Sequence, residues 1–173
     1  AKPKLTQNII DDAFIDVEAW HNGKVAAKFG RDEATDFISG NGTSESKGIL
    51  TYTAGNGFGL VEDVNSGHAT QITADGLIDI QVALFEDFQP NASWLMSRQA
   101  GGVIRKLKDS QGQYLCAMNE GLSAVPKQML LGQPVKFASD LATPTSGVTF
   151  TASAYPVLYG DFRKGYLIVE RQG

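Results

Sequence analysis

The side chains that most often carry catalysis or bind metals are few in this sequence. Its 173 residues include two histidines, His21 and His68, and one cysteine, Cys116. Neither histidine has a second histidine or cysteine at a spacing typical of metal sites, which favours ordinary surface or helical roles. Cys116 lies in an apolar stretch with no adjacent base, a pattern that favours a buried and unreactive thiol. These residues therefore predict no catalytic, metal or cofactor site.

Carboxylates that could bind a cation or act as acids and bases form two local groups. The groups are Asp11, Asp12, Asp16 and Glu18, and further on Glu62 and Asp63. In the first group only positions 11 or 12 and 16 share a helical face, so a solvated polar face is the favoured interpretation. The second group is interpreted as an exposed loop edge. An enzyme stays an alternative if His68, Glu62 and Asp63 converge in one apolar cleft.

The stretch FISGNGTSESKGIL at 37–50 is rich in glycine and could either bind a phosphate or end a helix. A phosphate loop places its glycines before a helix, where free N–H groups and the positive end of the dipole face the anion. Here the glycines follow a predicted helix, and Lys47 is followed by Gly48 rather than by serine or threonine. The stretch is therefore predicted to end a helix, with a glycine of 40–42 in the left-handed conformation.

The composition excludes several classes of protein. The formal net charge of −4 and the isoelectric point near 5.1 argue against a general nucleic-acid binder. The longest apolar runs fall far short of the roughly 20 residues that span a bilayer. No secretory signal precedes the predicted fold, and a single cysteine cannot form a disulfide within the chain. A soluble protein of the cytosol, with no membrane partner, is the expectation.

Hydrophobic periodicity predicts a helical first third. Apolar residues recur at helical spacing and fall on one stripe: Ile10, Ala13, Phe14, Val17 and Trp20. The pattern loosens at Asn22-Gly23 and then resumes as far as Ile38. It predicts one long helix from Leu5 to Ile38.

The remainder of the chain alternates between strand and helix patterns. Thr73 is predicted to cap a helix with Leu77, Ile80, Leu84 and Phe88 on one face. A strand at 92–97, a helix at 98–107, a turn at 109–112 and a strand at 113–117 follow. An irregular insertion is predicted at 119–129. Further strands are predicted at 60–64, 130–139, 147–154, 156–160 and 165–171, which gives an α+β class with a sheet-rich second part.

Several segments resemble one family in order and spacing. LTQNIIDDAFIDVEAW and FISGNGTSESKGILTY are similar to the long spine helix and the following glycine-rich loop of tailed-phage major capsid proteins, the HK-ninety-seven-like fold family. ASWLMSRQAGGVIRKLKDSQGQYL, LLGQPVKFASDL and PVLYGDFRKGYLIVERQG resemble later segments of that family. The resemblance extends over nearly the whole chain.

The resemblance implies a phage major capsid protein fold, with a long spine helix followed by a mixed sheet and flanking helices. Residues 1–56 would belong to the peripheral domain and 57–173 to the core of the axial domain. The function implied is self-assembly, through hexameric and pentameric capsomers, into an icosahedral shell. Portal, scaffold and maturation protease are partners that this family can use, and packaged DNA would be contacted only non-specifically. The implied location is the virion, after synthesis in the cytoplasm of a bacterial host.

Two features of the family have no counterpart here, so the resemblance implies a core fragment. The N-terminal arm with its extended loop is missing before Ala1, and the last strands of the peripheral domain are missing after Gly173. The run at 166–171 is then expected to be an edge strand without its neighbour. Another structural or binding module of the virion or tail is the alternative function.

Overall fold

The computed structural model describes residues 16–55, 61–109, 111–114 and 129–167. The chain divides into two compact units, Ala1–Thr51 and Tyr52–Gly173. The domain boundary predicted between 56 and 57 falls within residues that are not described, so the two predicted domains stay a prediction. The two units are taken in turn.

In its described part, residues 16–51, the first unit has a long helix, α1, at Val17–Ser39. Asp16 is its N-cap: it has extended backbone angles, and its Oδ1 accepts a hydrogen bond of 3.0 Å from the Ala19 N–H. Such a carboxylate satisfies a backbone donor that has no partner within the helix and favours the positive end of the dipole. The prediction of one long helix, straight or bent, that starts at Leu5 is therefore wrong at Asp16, where this helix begins, and the earlier part of the predicted helix lies outside the described residues.

A glycine-rich loop ends α1 at the predicted position. Gly40 is the C-cap, and its N–H donates to the Asp36 carbonyl at 2.8 Å. Its own carbonyl accepts the Gly48 N–H at 2.9 Å and the Thr51 hydroxyl at 2.8 Å, which closes the loop before a short 3₁₀ helix, Ile49–Thr51. Gly40 has φ of −58°, and it is Gly42, with φ of +75°, that is left-handed. The loop is thus held by backbone hydrogen bonds between glycines.

The second unit is built on a four-stranded mixed sheet of order β2-β3-β1-β4. Its strands are β1 at Ser93–Met96, β2 at Met129–Leu130, β3 at Gln133–Phe137 and β4 at Val157–Gly160. The central strand β1 runs parallel to β3 and antiparallel to β4, with Trp94 opposite Val135 on one side and Tyr159 on the other. Three helices accompany the sheet: α2 at Ala74–Ala83, α3 at Arg98–Arg105 and the single turn α4 at Phe162–Gly165. A 3₁₀ helix, Glu86–Asn91, connects α2 to β1.

The core of this unit lies around β1. Trp94 and Met96 are 0% and 1% exposed, and they alternate with Leu95 as expected for one face of a strand. The Trp94 ring lies 4.3 Å from the Tyr159 ring between centroids, and its Nε1 donates to the Leu130 carbonyl at 2.8 Å. Helix α3 adds three buried side chains, Ala100, Val103 and Ile104. The predicted buried strand at 92–97 and the helix that follows it are thereby confirmed.

Helix α2 begins where the sequence predicts. The Thr73 hydroxyl accepts the Gly76 N–H at 3.0 Å and donates to the Ser66 carbonyl. Leu77 is buried and Ile80 packs against the core cluster, as the predicted apolar face requires. The helix ends at Ala83, earlier than predicted, and Phe88 belongs to the separate 3₁₀ helix.

Replacing Thr73 with alanine should destabilise the second unit by about 1–2 kcal/mol, since both hydrogen bonds of the cap are lost. Thr73→Ser keeps the hydroxyl and is expected to lose only a few tenths of a kcal/mol. Urea unfolding followed by circular dichroism measures the difference. Equal losses in the two variants would show that the hydroxyl does not stabilise the helix.

Five strand predictions need correction or lie mostly beyond the described residues. The segment 147–154 forms turns, with only a single bridge between Ser146 and Thr149, although Phe150 is buried as a strand residue would be. Within the described residues 61–64, only Val61 pairs, in a bridge to Ala54. The predicted strand at 130–139 is a hairpin, because β2 and β3 meet through a two-residue turn at Leu131 and Gly132, with φ of +49° and +80°. The predicted strands at 113–117 and 165–171 lie mostly outside the described residues, and so does the irregular insertion predicted at 119–129.

Candidate functional site

The polar residues that could have formed a catalytic cleft are used locally in the structure. His68 is exposed, and its Nδ1 accepts a hydrogen bond of 3.2 Å from the Thr70 N–H. Glu62 and Asp63 are also exposed. In the described part of the chain, no hydrogen bond or salt bridge joins His68 to either carboxylate. These three side chains are thus exposed, and the hydrogen bond described for His68 is to its own loop.

Of the other candidate residues, the structure describes His21, Asp16 and Glu18. His21 is half-buried on α1, and its Nε2 is shielded from water without a hydrogen-bond partner. Asp16 is occupied as the helix cap, whereas Asp11, Asp12 and Cys116 lie outside the described residues. Among residues 16–55, 61–109, 111–114 and 129–167, no three histidine, cysteine or carboxylate side chains lie close enough to hold a metal ion. Nor does any helix in these ranges have the length and apolar content needed to cross a membrane.

One of these carboxylates changes the ionisation of a tyrosine. The Tyr155 hydroxyl donates a hydrogen bond of 3.0 Å to Asp63 Oδ2. That hydrogen bond, then the negative charge of Asp63 and finally slight burial raise the pKa of Tyr155 above its usual value of about 10. A raised pKa means that the interaction stabilises the fold fully below pH 10 and that this stabilisation is lost as the pH rises through the raised pKa.

We expect Asp63→Asn to return the pKa of Tyr155 towards its usual value, because the charge that opposes tyrosinate formation is removed. Difference titration of ultraviolet absorbance between the wild type and Tyr155→Phe isolates this one hydroxyl. Glu62→Gln is the matched control, since it removes a neighbouring carboxylate that makes no contact with Tyr155. A shift of equal size in the control would mean that the hydrogen bond has no special effect.

The outer face of α2 is an exposed surface of the second unit that does not pack on the core. We define this face as Asp75, Ile78, Asp79 and Val82, continued by Phe85 just beyond the helix. The first four follow the spacing i, i+3, i+4 and i+7, so they form one stripe, opposite the buried stripe of Leu77 and Ile80. Val82 is 73% exposed, Phe85 71% and Ile78 49%. Contiguous exposed apolar side chains of this kind mark surfaces that bind a partner.

Hydrogen bonds hold this face in place on the sheet. Gln81 Nε2 donates to the Leu131 carbonyl at 3.2 Å, which joins the end of α2 to the hairpin turn. Gln89 Nε2 donates to the carbonyls of Gln81 and Leu84, both at 3.1 Å, which fixes the chain after the helix. Leu131 and Met129 of the hairpin are also exposed, at 44% and 54%. The outer face of α2 is thus presented by a fixed scaffold.

This face was not predicted from the sequence, because the apolar residues of α2 were all assigned to a single buried stripe. The signal was present, since Ile78, Val82 and Phe85 recur at offsets of four and three residues. A helix with apolar residues on two opposite faces is typically buried on both. In the described residues only the face with Leu77 and Ile80 is buried, and the opposite face is exposed.

A model of the phage capsid family matches residues 1–173. The chain belongs to the phage capsid family. Its fold agrees: it is similar to a solved capsid of an empty GTA particle, with 35% identity and a TM-score of 0.81, and to that of a native GTA particle, with 34% identity and a TM-score of 0.79. Each comparison covers 94% of this chain and 55% of the other. None of the curated proteins matches the chain.

Membership of the capsid family confirms the family resemblance and the α+β capsid fold predicted from the sequence. The chain spans about half the length of the capsid chains that it matches. The observed helix followed by a mixed sheet with flanking helices agrees with the order predicted for a capsid protein. In a protein of this family, an exposed apolar helix face is a candidate contact between subunits rather than a substrate site.

Proposed function

We propose that this chain is the core of a major capsid subunit that self-assembles, through hexameric and pentameric capsomers, into an icosahedral shell enclosing DNA. The family match over all 173 residues is the observation that carries the proposal. The exposed outer face of α2 supports it, because a subunit that works only in an assembly must keep apolar surface for its neighbours. In this proposal the chain is a structural protein and not an enzyme.

Within this proposal, residues 1–56 belong to the peripheral domain with the spine helix and 57–173 to the axial domain. The division into two compact units after Thr51 supports a boundary near this position. The subunit is made in the cytoplasm of the bacterial host and resides in the virion. Portal, scaffold and maturation protease are its further partners, and its contact with DNA is non-specific, as the net charge of −4 favours.

The test is expression of the whole reading frame that encodes this chain, followed by electron microscopy and light scattering. Capsomers or closed shells are expected. The 173-residue chain expressed alone is the matched control, and it should remain a monomer or a small oligomer at micromolar concentration. A shell is held by many weak contacts at once, so a chain with about half the length of its relatives loses the mutual reinforcement between them.

A whole protein that stays monomeric under every assembly condition would contradict the proposal. So would hydrolase or phosphatase activity that is lost on substitution of His68, because the chain would then have a catalytic role. The same preparations serve for both measurements.

A further inference from the structure

Charge is strongly segregated along the second unit. Residues 61–97 contain six carboxylates, Glu62, Asp63, Asp75, Asp79, Glu86 and Asp87, and no lysine or arginine. Residues 98–108 contain four basic residues, Arg98, Arg105, Lys106 and Lys108, and no carboxylate. Folding does not pair the two groups: Asp79, Glu86, Arg105 and Lys106 have no salt bridge to any described residue. Exposed charges of opposite sign thus remain on the same subunit.

The negative surface coincides with the outer face of α2. Asp75 and Asp79 alternate with Ile78 and Val82 along the exposed stripe, and Phe85 is followed by Glu86 and Asp87. All seven of these side chains are exposed. Residues 82–87 line an open depression at the end of the helix. The Nζ of Lys164 lies 5.4 Å from the centre of the Phe88 ring, next to this depression in sequence. We call this surface the acidic face.

The positive surface lies at the end of α3. Arg105 and Lys106 are exposed there, whereas Val103 and Ile104 of the same turn are buried and fix the direction of the helix. Lys108 lies over the exposed Tyr114 ring, with its Nζ 4.8 Å from the ring centre. The carboxylate of Asp109 is occupied within the turn, since its Oδ1 accepts the N–H groups of Gln111 and Gln113. We call Arg105, Lys106, Lys108 and Tyr114 the basic face.

We propose that the acidic face of one subunit docks on the basic face of a second copy of the chain. This inference rests on the proposed function and specifies one contact within the capsomer. Each face combines apolar or aromatic surface with charges of one sign, and the two signs are opposite, which gives both burial and electrostatic complementarity. Two acidic faces cannot pair with each other, because their carboxylates would be brought together.

The contact is therefore heterologous: each subunit uses one face towards one neighbour and the other face towards the next. A heterologous contact forms a closed ring when a whole number of successive rotations between neighbours adds up to one full turn. Hexameric and pentameric capsomers are rings of this kind. A symmetric dimer through α2 would use one face twice and is disfavoured by its charge.

Charge reversal in the whole protein tests the pairing. Asp79→Lys with Glu86→Lys reverses the acidic face, and Arg105→Glu with Lys106→Glu reverses the basic face. Each double variant should raise the protein concentration needed for assembly by about tenfold or more, since repulsion replaces attraction at every contact of the ring. Combining the four substitutions restores opposite charges and should bring assembly back towards the wild type. Glu62→Lys, an exposed reversal outside the acidic face, is the matched control and should have little effect.

A disulfide trap provides a second measurement that does not depend on the rescue. Glu86→Cys in one copy and Lys106→Cys in another should form a cross-link between subunits, whereas Glu62→Cys with Lys106→Cys should not. Folded double variants that assemble at the wild-type concentration, or the absence of the 86–106 cross-link from assembled rings, would overturn this inference and leave the capsid function standing. A wild-type protein that never assembles would overturn both.

Discussion

Replacing Trp94 with alanine should reduce the free energy of unfolding of the second unit by about 4 kcal/mol, the loss typical of a large aromatic side chain removed from a packed core. The Trp94 side chain is 0% exposed, and its ring stacks on Tyr159 at 4.3 Å. Its loss also leaves the Leu130 carbonyl without the indole donor at 2.8 Å. Urea unfolding by far-ultraviolet circular dichroism measures the change, as a lower midpoint with an unchanged slope.

Two controls separate the contributions to this loss. Trp94→Phe keeps most of the aromatic surface but removes the hydrogen bond, so we expect a smaller loss of about 1–2 kcal/mol. Trp20→Ala removes the other tryptophan, which is 54% exposed on α1, and should change stability by no more than about 0.5 kcal/mol. If Trp20→Ala and Trp94→Ala were equally destabilising, the assignment of Trp94 as the centre of the core would be wrong.

Gly48→Ala should strongly destabilise the first unit, with an expected loss of about 3 kcal/mol. A Cβ at this position would lie 2.5 Å from the Ser39 nitrogen and 2.6 Å from the Gly40 nitrogen. Both are backbone atoms at the end of α1, so no side-chain rotation can relieve the overlap. Faster hydrogen exchange of the amides in the last turn of α1, together with a lower melting temperature, is the expected observation.

Gly30→Ala is the matched control in the same unit. No atom lies within 4 Å of the position of its Cβ, and the residue is in the middle of α1, where alanine is the better helix former. We therefore expect a gain of about 0.5–1 kcal/mol. If Gly48→Ala and Gly30→Ala both lowered the stability, the close backbone contacts at Gly48 would no longer explain why Gly48→Ala is destabilising.

Local signals in the sequence predicted much of the fold. Thr73 as a helix cap, the glycine-rich end of α1 and the buried strand containing Trp94 each depend on residues close in sequence, and the structure has all three. The apparent continuity of α1 before Val17 was misleading, because the apolar period continues while the Asp16 side chain favours a cap. Periodicity alone does not reveal such a local competition.

Tertiary packing decided the elements that the sequence predicted wrongly. Residues 147–154 have strong strand propensity, yet Phe150 is held by the hydrogen bond that its N–H donates to the Thr70 carbonyl, at 2.7 Å, and the segment turns around it. Strand propensity mainly measures how well a side chain suits a half-buried position. A loop that packs on the core also offers such positions. The hairpin at Leu131 was missed for a different reason, because leucine is uncommon at a positive φ.

The candidate contact surface was the least predictable part. An exposed apolar stripe and a buried one have the same residue types, so burial must be known before either can be assigned. The charge segregation between 61–97 and 98–108 is visible in the sequence, but its meaning depends on whether the two groups pair within the subunit. The resemblance to capsid proteins indicates that contacts exist without naming the residues that make them.

The order of the strands has a consequence for synthesis of the subunit. β1 lies between β3 and β4, both of which are made after it, and its Trp94 ring packs against Tyr159 of β4. Contacts between residues so distant in sequence form slowly, because a long loop must close before they can form. Helix α2 packs on this same core through Leu77 and Ile80, so we expect its outer face to take up its final position only after β4 has been synthesised. A subunit cut short before β4 is then expected to lack the surface that we propose binds its neighbour.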